Sequence, residues 1–354
     1  MNLCLIFGMV IGLCIFVCVC LVGALGLSIS GSRAVILESS QSTRRVSLSS
    51  DLCKVFAPDC EVSVVDGADI GSGSGLDLGK VDFLIDNWSD DGASASAAME
   101  LAKKHKVSQY IAMTPAENLY QDTNILPIQE TFATKAKGEC RERDVEMIIE
   151  SQTEIPYTII RTQNVYGNDV KKHNLDYFIN RAHRDLHVPL PLHGEQLLSL
   201  VHAEDVAGLV KCALGNPDAV GEVFNCASKK YLTYKSFSDM VYSQLGKQGS
   251  EGKQKHLYFE PKLFDLDSGG TSKFPFSRDA TPFSASKATS ILGWTPKHNI
   301  VDDLASEIEA ALARSAPQGA NWGMKELRSD MEILASKDST FLFEYPFFYE
   351  TEDR

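Results

Sequence analysis

The chain has 354 residues, enough to bury one large core or one core with a smaller lobe attached. Its 44% hydrophobic and 23% charged content is that of an ordinary globular protein. A formal charge of −13 excludes nucleic-acid binding by bulk attraction, so any such binding must use a local patch.

The acid is concentrated in two places. Residues 51–100 carry 11 acids against 2 bases, residues 301–354 carry 12 against 5, and the middle is close to neutral. Nine cysteines are present; Cys4, Cys14, Cys18 and Cys20 sit in the apolar N-terminus, and Cys53, Cys60, Cys140, Cys212 and Cys226 are scattered. With no Cys-x-x-Cys pair there is neither a disulfide framework nor a zinc site, which points to a reducing compartment.

Residues 1–54 stand apart. No charge occurs from Leu3 to Ile29, long enough to span a membrane, and the serine-rich stretch from Arg33 to Lys54 sets four bases against Glu38 and Asp51. Three readings stay open. The segment is a two-part targeting sequence into a plastid bounded by extra membranes, or an anchor that makes the membrane a partner. Alternatively it is a degenerate first dinucleotide-binding unit, with Gly31 to Leu37 as a turn and a second strand. No Gly-x-x-Gly-x-x-Gly occurs; Gly8, Gly12, Gly23, Gly26 and Gly31 are wrongly spaced to cradle a pyrophosphate.

Beyond that segment, alternating apolar runs predict strands at 61–67, 81–86, 109–113 and 157–161. Between them, helices are predicted at 93–106, where Lys103, Lys104, His105 and Lys106 suit a C-terminus, and at 134–151. Strands alternating with helices imply an α/β fold: a doubly wound, Rossmann-like parallel sheet with a smaller C-terminal α/β lobe. The body is expected over 55–315, with the lobe drawn mainly from 168–300 and an acidic, aromatic tail at 316–354. Ligands in such sheets gather at strand carboxyl ends, here near Asp66–Ile70, Asn87 and Thr114.

Four segments resemble the extended short-chain dehydrogenase/reductases, which include sugar-nucleotide epimerases and dehydratases. They are Arg161-Thr162-Gln163-Asn164-Val165-Tyr166-Gly167, Leu200-Val201-His202-Ala203-Glu204-Asp205-Val206-Ala207, Gly221-Glu222-Val223-Phe224-Asn225 and Leu292-Gly293-Trp294-Thr295-Pro296. Within that class, Phe224 to Ser228, Tyr231-Leu232-Thr233, Pro261 to Asp265, Phe274 to Arg278 and the strand Val81 to Asn87 resemble the chloroplast stem-loop-binding proteins over about residues 60–310. The resemblance implies an epimerase-like plastid protein, in the stroma once a targeting segment is removed. It implies RNA as the partner and oligomers with related chains, and an RNA-cleaving activity is attributed to some members.

The same resemblance shows what is missing. Hydride chemistry in the superfamily uses a tyrosine and a lysine four residues later, the cation favouring the phenolate. Lys135 and Glu139 stand at those places, Thr114 and Pro115 replace the serine, and Tyr120 has Asn124, not lysine, four residues on. NAD(P) binding, if retained, falls to Asp69, Ile70, Asn87 and Thr114. A nuclease would call for magnesium, with Asp265 and Asp267 the carboxylates to consider. RNA contacts are expected from Lys171, Lys172, Arg181 and Arg184, on or before a helix at 174–186, and from Lys229, Lys230, Tyr231 and Lys235, which interleave cations with an aromatic ring. Lys253, Lys255, His256 and Tyr258 form a third cluster; each cluster reads equally as a solvated face. His183 and His187 share a helical spacing but have no third ligand, so no metal site is assigned. The resemblance implies that His202 and Asp205 lie near the substrate lobe, while local pattern reads Asp205 equally as the cap of the helix from Val206 to Leu214. The alternative functions are a sugar-nucleotide epimerase or dehydratase and a non-catalytic scaffold.

Overall fold

The computed structural model describes residues 29–39, 47–57, 59–71, 77–116, 119–123, 125–167, 170, 173–247, 256–259, 274–276 and 282–315. Residues 1–28, Lys171, Lys172, Lys253, Lys255, Asp265, Asp267 and the tail at 316–354 lie outside these.

Short, β-branched runs build the central sheet. Strands β1 (Ser32–Glu38), β2 (Cys60–Asp66), β3 (Phe83–Asp86), β4 (Gln109–Pro115), β5 (Tyr157–Thr162) and β9 (Glu222–Cys226) are all parallel, in the order β2-β1-β3-β4-β5-β9. Alternate side chains point to opposite faces. Ala34, Ile36, Phe83, Ile85, Ile111, Met113 and Ile160 enter one core; Val35, Leu37, Leu84, Tyr110, Ala112 and Ile159 enter the other. Helices α1 (Ser49–Phe56) and α6 (Ala203–Ala213) cover the first face through Leu52, Phe56, Val206, Leu209 and Val210. Helices α3 (Gly92–His105) and α4 (Arg141–Glu150) cover the second through Ala95, Ala98, Met99, Ala102, Val145 and Ile149. Both faces are therefore dry, as a parallel sheet requires.

The place of β1 in the sheet decides how the first unit is built. It pairs with β2 on one side and β3 on the other, which is the central place of the first strand in a doubly wound sheet. The expectation that 31–37 is a second strand is corrected, and of the readings of residues 1–54 the dinucleotide-type unit is the one that these two elements fit. Ser32–Glu38 and Ser49–Phe56 are the first strand and first helix of the nucleotide-binding half.

Helix α3 starts on Asp91, whose carboxylate accepts from Ser94 N at 2.8 Å while Ser94 Oγ accepts from Asp91 N at 3.1 Å. It ends with Lys106 in the left-handed region after the cationic last turn, as the sequence predicts. The helix predicted at 134–151 is shorter. Gly138 has φ +81°, Cys140 is extended, and the helix begins only at Arg141.

The smaller lobe joins strands β6 (Asn164–Tyr166), β8 (Leu197–His202) and β10 (Tyr231–Thr233) in one sheet, and β7 (Val188–Pro191) and β11 (His256–Phe259) in another. Helices α5 (Asp176–His183) and α7 (Tyr234–Gln244) pack with them around Phe178, Phe237, Phe274 and Phe276. Two shorter helices and one longer one complete the described elements: α2 (Gly67–Gly71), α8 (Ser286–Leu292) and α9 (Ile300–Ser315).

His256 is buried on β11, its Nε2 3.0 Å from Ser238 Oγ and 3.5 Å from Asp239 Oδ1. Burial pushes its imidazole down to about 4; Asp239 opposes this, while Lys235 and His187 add to it. A proton therefore binds the unfolded chain more readily than the folded one between about pH 6.5 and 4. Stability present above that window should fall by about 3 kcal/mol as pH drops through it. Urea midpoints against pH, for the native chain and His256→Gln, should diverge across this range; parallel curves count against the assignment.

Candidate functional site

The crevice of a doubly wound sheet lies outside the strand carboxyl ends, where the winding direction changes. Here that is the β1–β3 junction, and Glu38, Asn87 and Trp88 occupy it. Glu38 closes β1 and is only 7% exposed. Its Oε1 accepts from Leu48 N at 2.7 Å, Ser49 N at 3.2 Å and Asn87 Nδ2 at 3.2 Å. Its Oε2 accepts from the hydroxyls of Ser47 and Ser49, both at 2.8 Å. Leu48, at the N-cap of α1, has no capping side chain, so Glu38 satisfies the helix's free amides from across the loop.

Asn87 is thus at the crevice as expected, but its amide is spent on Glu38. Next to it, Trp88 packs against the core on the α3–α4 face of the sheet, as do Val65 and Ile70, and its indole lies so close to Gly67 that a Cβ there would overlap the ring. Asp86 pins this loop: its Oδ1 accepts from Trp88 N and Ser89 N at 2.8 Å, and its Oδ2 accepts from the Tyr110 hydroxyl. Asp69 is exposed and Ile70 half-buried on α2.

Thr114 is a correction. It is fully buried, and its hydroxyl donates to Glu146 Oε1 at 3.1 Å instead of lining the crevice. Glu146 also receives Arg161 through Nε at 2.9 Å and Nη2 at 2.8 Å. Arg161 Nη1 donates to the Tyr120 hydroxyl at 2.7 Å, which donates on to Asn225 Oδ1 at 2.8 Å. Burial works against the charge on Arg161, and the paired Glu146 more than restores it, so its pKa is raised. A phenol does stand beside a cation here, which the sequence does not reveal. Yet burial pushes the Tyr120 phenol up in spite of Arg161, and it is 6% exposed. Its hydroxyl relays a hydrogen bond from Arg161 to Asn225. Lys135 and Glu139 lie in the loop before α4, where Glu139 Oε2 accepts from Ala136 N at 2.6 Å. They form no helical one-turn pair.

Three of the four family-like segments meet at a structural node. Asp205 does not cap α6; the His202 ring does, accepting from Glu204 N at 3.2 Å. Asp205 instead accepts from Lys297 N at 2.8 Å and His298 N at 2.9 Å, and its backbone carbonyl accepts from Trp294 Nε1 at 3.1 Å. The Tyr166 hydroxyl donates to Asp303 Oδ2 at 2.6 Å. His202, Glu204 and His298 offer donor atoms within 4.8 Å of one another, a cluster that local pattern misses because residues 94 positions apart carry it. The two imidazoles are stacked at 4.1 Å and 22°, so their in-plane lone pairs run side by side and do not converge on one ion. Magnesium, which prefers oxygen donors in octahedral array, does not fit this set.

Among the RNA-contact residues, Arg181 is a correction. It is fully buried, Nη1 donates to His187 O at 3.0 Å, and its guanidinium lies 4.8 Å over the Tyr177 ring. Arg184 is half-buried and leans on Asn180 Oδ1 at 3.4 Å. The helix ends at His183, so His183 and His187 share no helical face, and His256 and Tyr258 are buried in β11. Lys229 and Lys230 are exposed just beyond the carboxyl end of β9. Tyr231 follows, half-buried, its hydroxyl donating to Phe283 O at 3.3 Å. Lys230 Nζ reaches Asn299 Oδ1 at 3.1 Å and Asp302 at 3.8 Å, and Lys235 pairs with Asp239 at 2.7 Å.

Residues 115–227 match the NAD dependent epimerase/dehydratase family. Over 204 residues the chain is 30% identical to the chloroplast stem-loop binding protein of 41 kDa b from Arabidopsis thaliana, covering 56% of this chain and 51% of that protein. The chain thus spans about half the length of the curated relative it matches. Among solved structures, a UDP-glucose 4-epimerase from Thermotoga maritima, with UDP-glucose, superposes with TM-score 0.60 at 17% identity, over 78% of this chain and 98% of that one. A UDP-glucuronic acid 4-epimerase from Bacillus cereus, in complex with NAD, gives 0.62 at 14% identity, over 82% and 99%. At these identities the superpositions speak for the fold alone. The chain has the Rossmann-like fold of the NAD-dependent epimerases and dehydratases, and over 204 residues it is similar to a chloroplast stem-loop binding protein.

Proposed function

We propose that this chain is a plastid RNA-binding protein that recognises stem-loop RNA on an epimerase-like scaffold. The observation that carries the reading is its likeness to a chloroplast stem-loop binding protein across 204 residues. The missing Tyr/Lys dyad adds to it, since the scaffold survives without the groups its hydride chemistry needs. Lys229, Lys230 and Tyr231 are the contact set best placed for the task. They pair exposed ammonium groups with an aromatic edge at the carboxyl end of the sheet, which suits phosphates and unpaired bases of a loop. Arg181 is withdrawn from the set, and Lys235 is largely neutralised by Asp239.

Metal-assisted cleavage would need an oxygen-rich site for magnesium, and among the described residues no cluster provides one. The carboxylates named for it, Asp265 and Asp267, lie outside the described residues, so RNA binding is the activity proposed and cleavage of the same RNA is a further outcome of its test. NAD(P) would have to share the β1–β3 crevice with Glu38, and it plays no part in this reading.

Filter binding of the full chain to a stem-loop RNA across salt concentrations tests the proposal. Lys229→Ala and Lys230→Ala should each weaken binding several-fold and lower the salt slope by about 1, whatever the loop sequence. Unchanged slopes in both variants remove this patch. Loss of all saturable RNA binding in the native chain removes the function, and turnover of a nucleotide sugar would replace it with the epimerase reading.

A further inference from the structure

A dinucleotide-binding fold receives the pyrophosphate on the free amides of the helix that follows its first strand, and the ribose and base beside the end of the neighbouring strand. In this chain both places are taken. The amides of Leu48 and Ser49 at the start of α1 donate to Glu38, whose other oxygen is held by two serine hydroxyls. Beside the end of β2, the Trp88 indole lies against Gly67 and packs on the same core as Val65 and Ile70. Asn87 joins the two, its side chain bound to Glu38 and its backbone leading directly into Trp88.

We propose that the nucleotide crevice is filled from within, the Glu38 carboxylate standing in for the pyrophosphate and the Trp88 indole for the base. A carboxylate supplies the negative charge that a helix N-terminus favours, and a planar ring supplies the apolar surface a purine would cover. The arrangement is built rather than incidental. Glu38 satisfies amides that α1 leaves free, and Asp86, itself held by Tyr110, fixes the turn that presents Trp88. Added phosphate would meet a buried carboxylate that already holds the Leu48 and Ser49 amides. The family's glycines, which let backbone approach a pyrophosphate, have no counterpart to keep because no pyrophosphate comes in. The chain keeps the nucleotide fold while supplying the nucleotide's contacts itself.

Calorimetry on the full chain with NAD, ADP and inorganic pyrophosphate tests this, together with amide hydrogen exchange. The native chain should give no saturable heat up to about 1 mM. Its Leu48 and Ser49 amides should be protected without ligand and unchanged by pyrophosphate. Glu38→Gly combined with Trp88→Ala should gain ADP binding by tenfold or more. Micromolar binding of NAD by the native chain overturns the proposal. So does added protection of Leu48 and Ser49 on adding pyrophosphate, or a folded double variant with no gain. If that variant does not fold, the exchange measurement on the native chain decides alone. RNA binding is measured separately and can fail or hold without touching this result.

Discussion

Glu146→Ala is expected to destabilise the protein by about 3–5 kcal/mol, because it strands a buried guanidinium. Arg161 and Glu146 are both buried, and the pair is bidentate, Nε to Oε1 at 2.9 Å and Nη2 to Oε2 at 2.8 Å. Thr114 donates to the same carboxylate, and Tyr120 accepts from Arg161 while stacking beneath it at 5.0 Å. Removing the carboxylate leaves a buried charge and a buried hydroxyl without their shared partner. The value of the pair itself is a different quantity. Taking two ions out of water costs nearly what their attraction returns, so Glu146→Leu with Arg161→Met should cost far less than the single change. Urea unfolding of both variants checks this. A single-variant loss under about 1 kcal/mol, or a double variant as damaged as the single, contradicts the buried-pair account.

Phe178→Ala should cost about 3–5 kcal/mol through the cavity it leaves. Phe178 is fully buried and is ringed edge-on by Tyr177, Phe237 and Phe274 at 5.3, 5.2 and 6.1 Å, with Phe276 tilted at 6.1 Å. Tyr177 and Phe237, held on α5 and α7, cannot collapse into the space. Phe178→Leu, which fills more of it, should cost clearly less. The change sits in the smaller lobe, away from Glu38 and Trp88, so amide exchange at Leu48 and Ser49 should respond only through global unfolding. Equal losses for the alanine and leucine variants would show that the site relaxes and that the ring cluster is not what organises the lobe.

The two effects reach the site by different routes. The Arg161–Glu146 pair links Thr114 on β4 to Tyr120 and, through its hydroxyl, to Asn225 on β9. The aromatic cluster supports β10, which carries Tyr231, and the loop before it, which carries Lys229 and Lys230. A test of RNA contact at those lysines is therefore best read in variants whose unfolding midpoints match the native chain.

Local pattern alone placed much of the frame. Runs such as Tyr110 to Met113 and Tyr157 to Arg161 could only be buried strands, since period-two apolar surface with no polar face needs cover on both sides. The α3 boundaries were legible because Asp91 and Lys106 act on their own neighbours along the chain. The 134–151 helix was over-extended because composition there allows a helix, while Gly138 in the left-handed region stops it. Glu38 looked like one acid in a serine-rich stretch. Its role depends on Asn87, 49 positions away, and on amides reached only when the loop folds back.

Sequence by itself determined the parallel sheet, the absent Tyr/Lys dyad and the motifs that tie the chain to its relatives, because these rest on residue type, spacing and near neighbours. Tertiary structure alone decided that β1 is the first strand, that Arg181 and Thr114 are buried, and that Tyr120 meets Arg161. It also decided that Glu38 and Trp88 lie in the nucleotide crevice. Those facts depend on burial and on partners far apart in the chain, and a charge written in a sequence does not say whether folding leaves it in water.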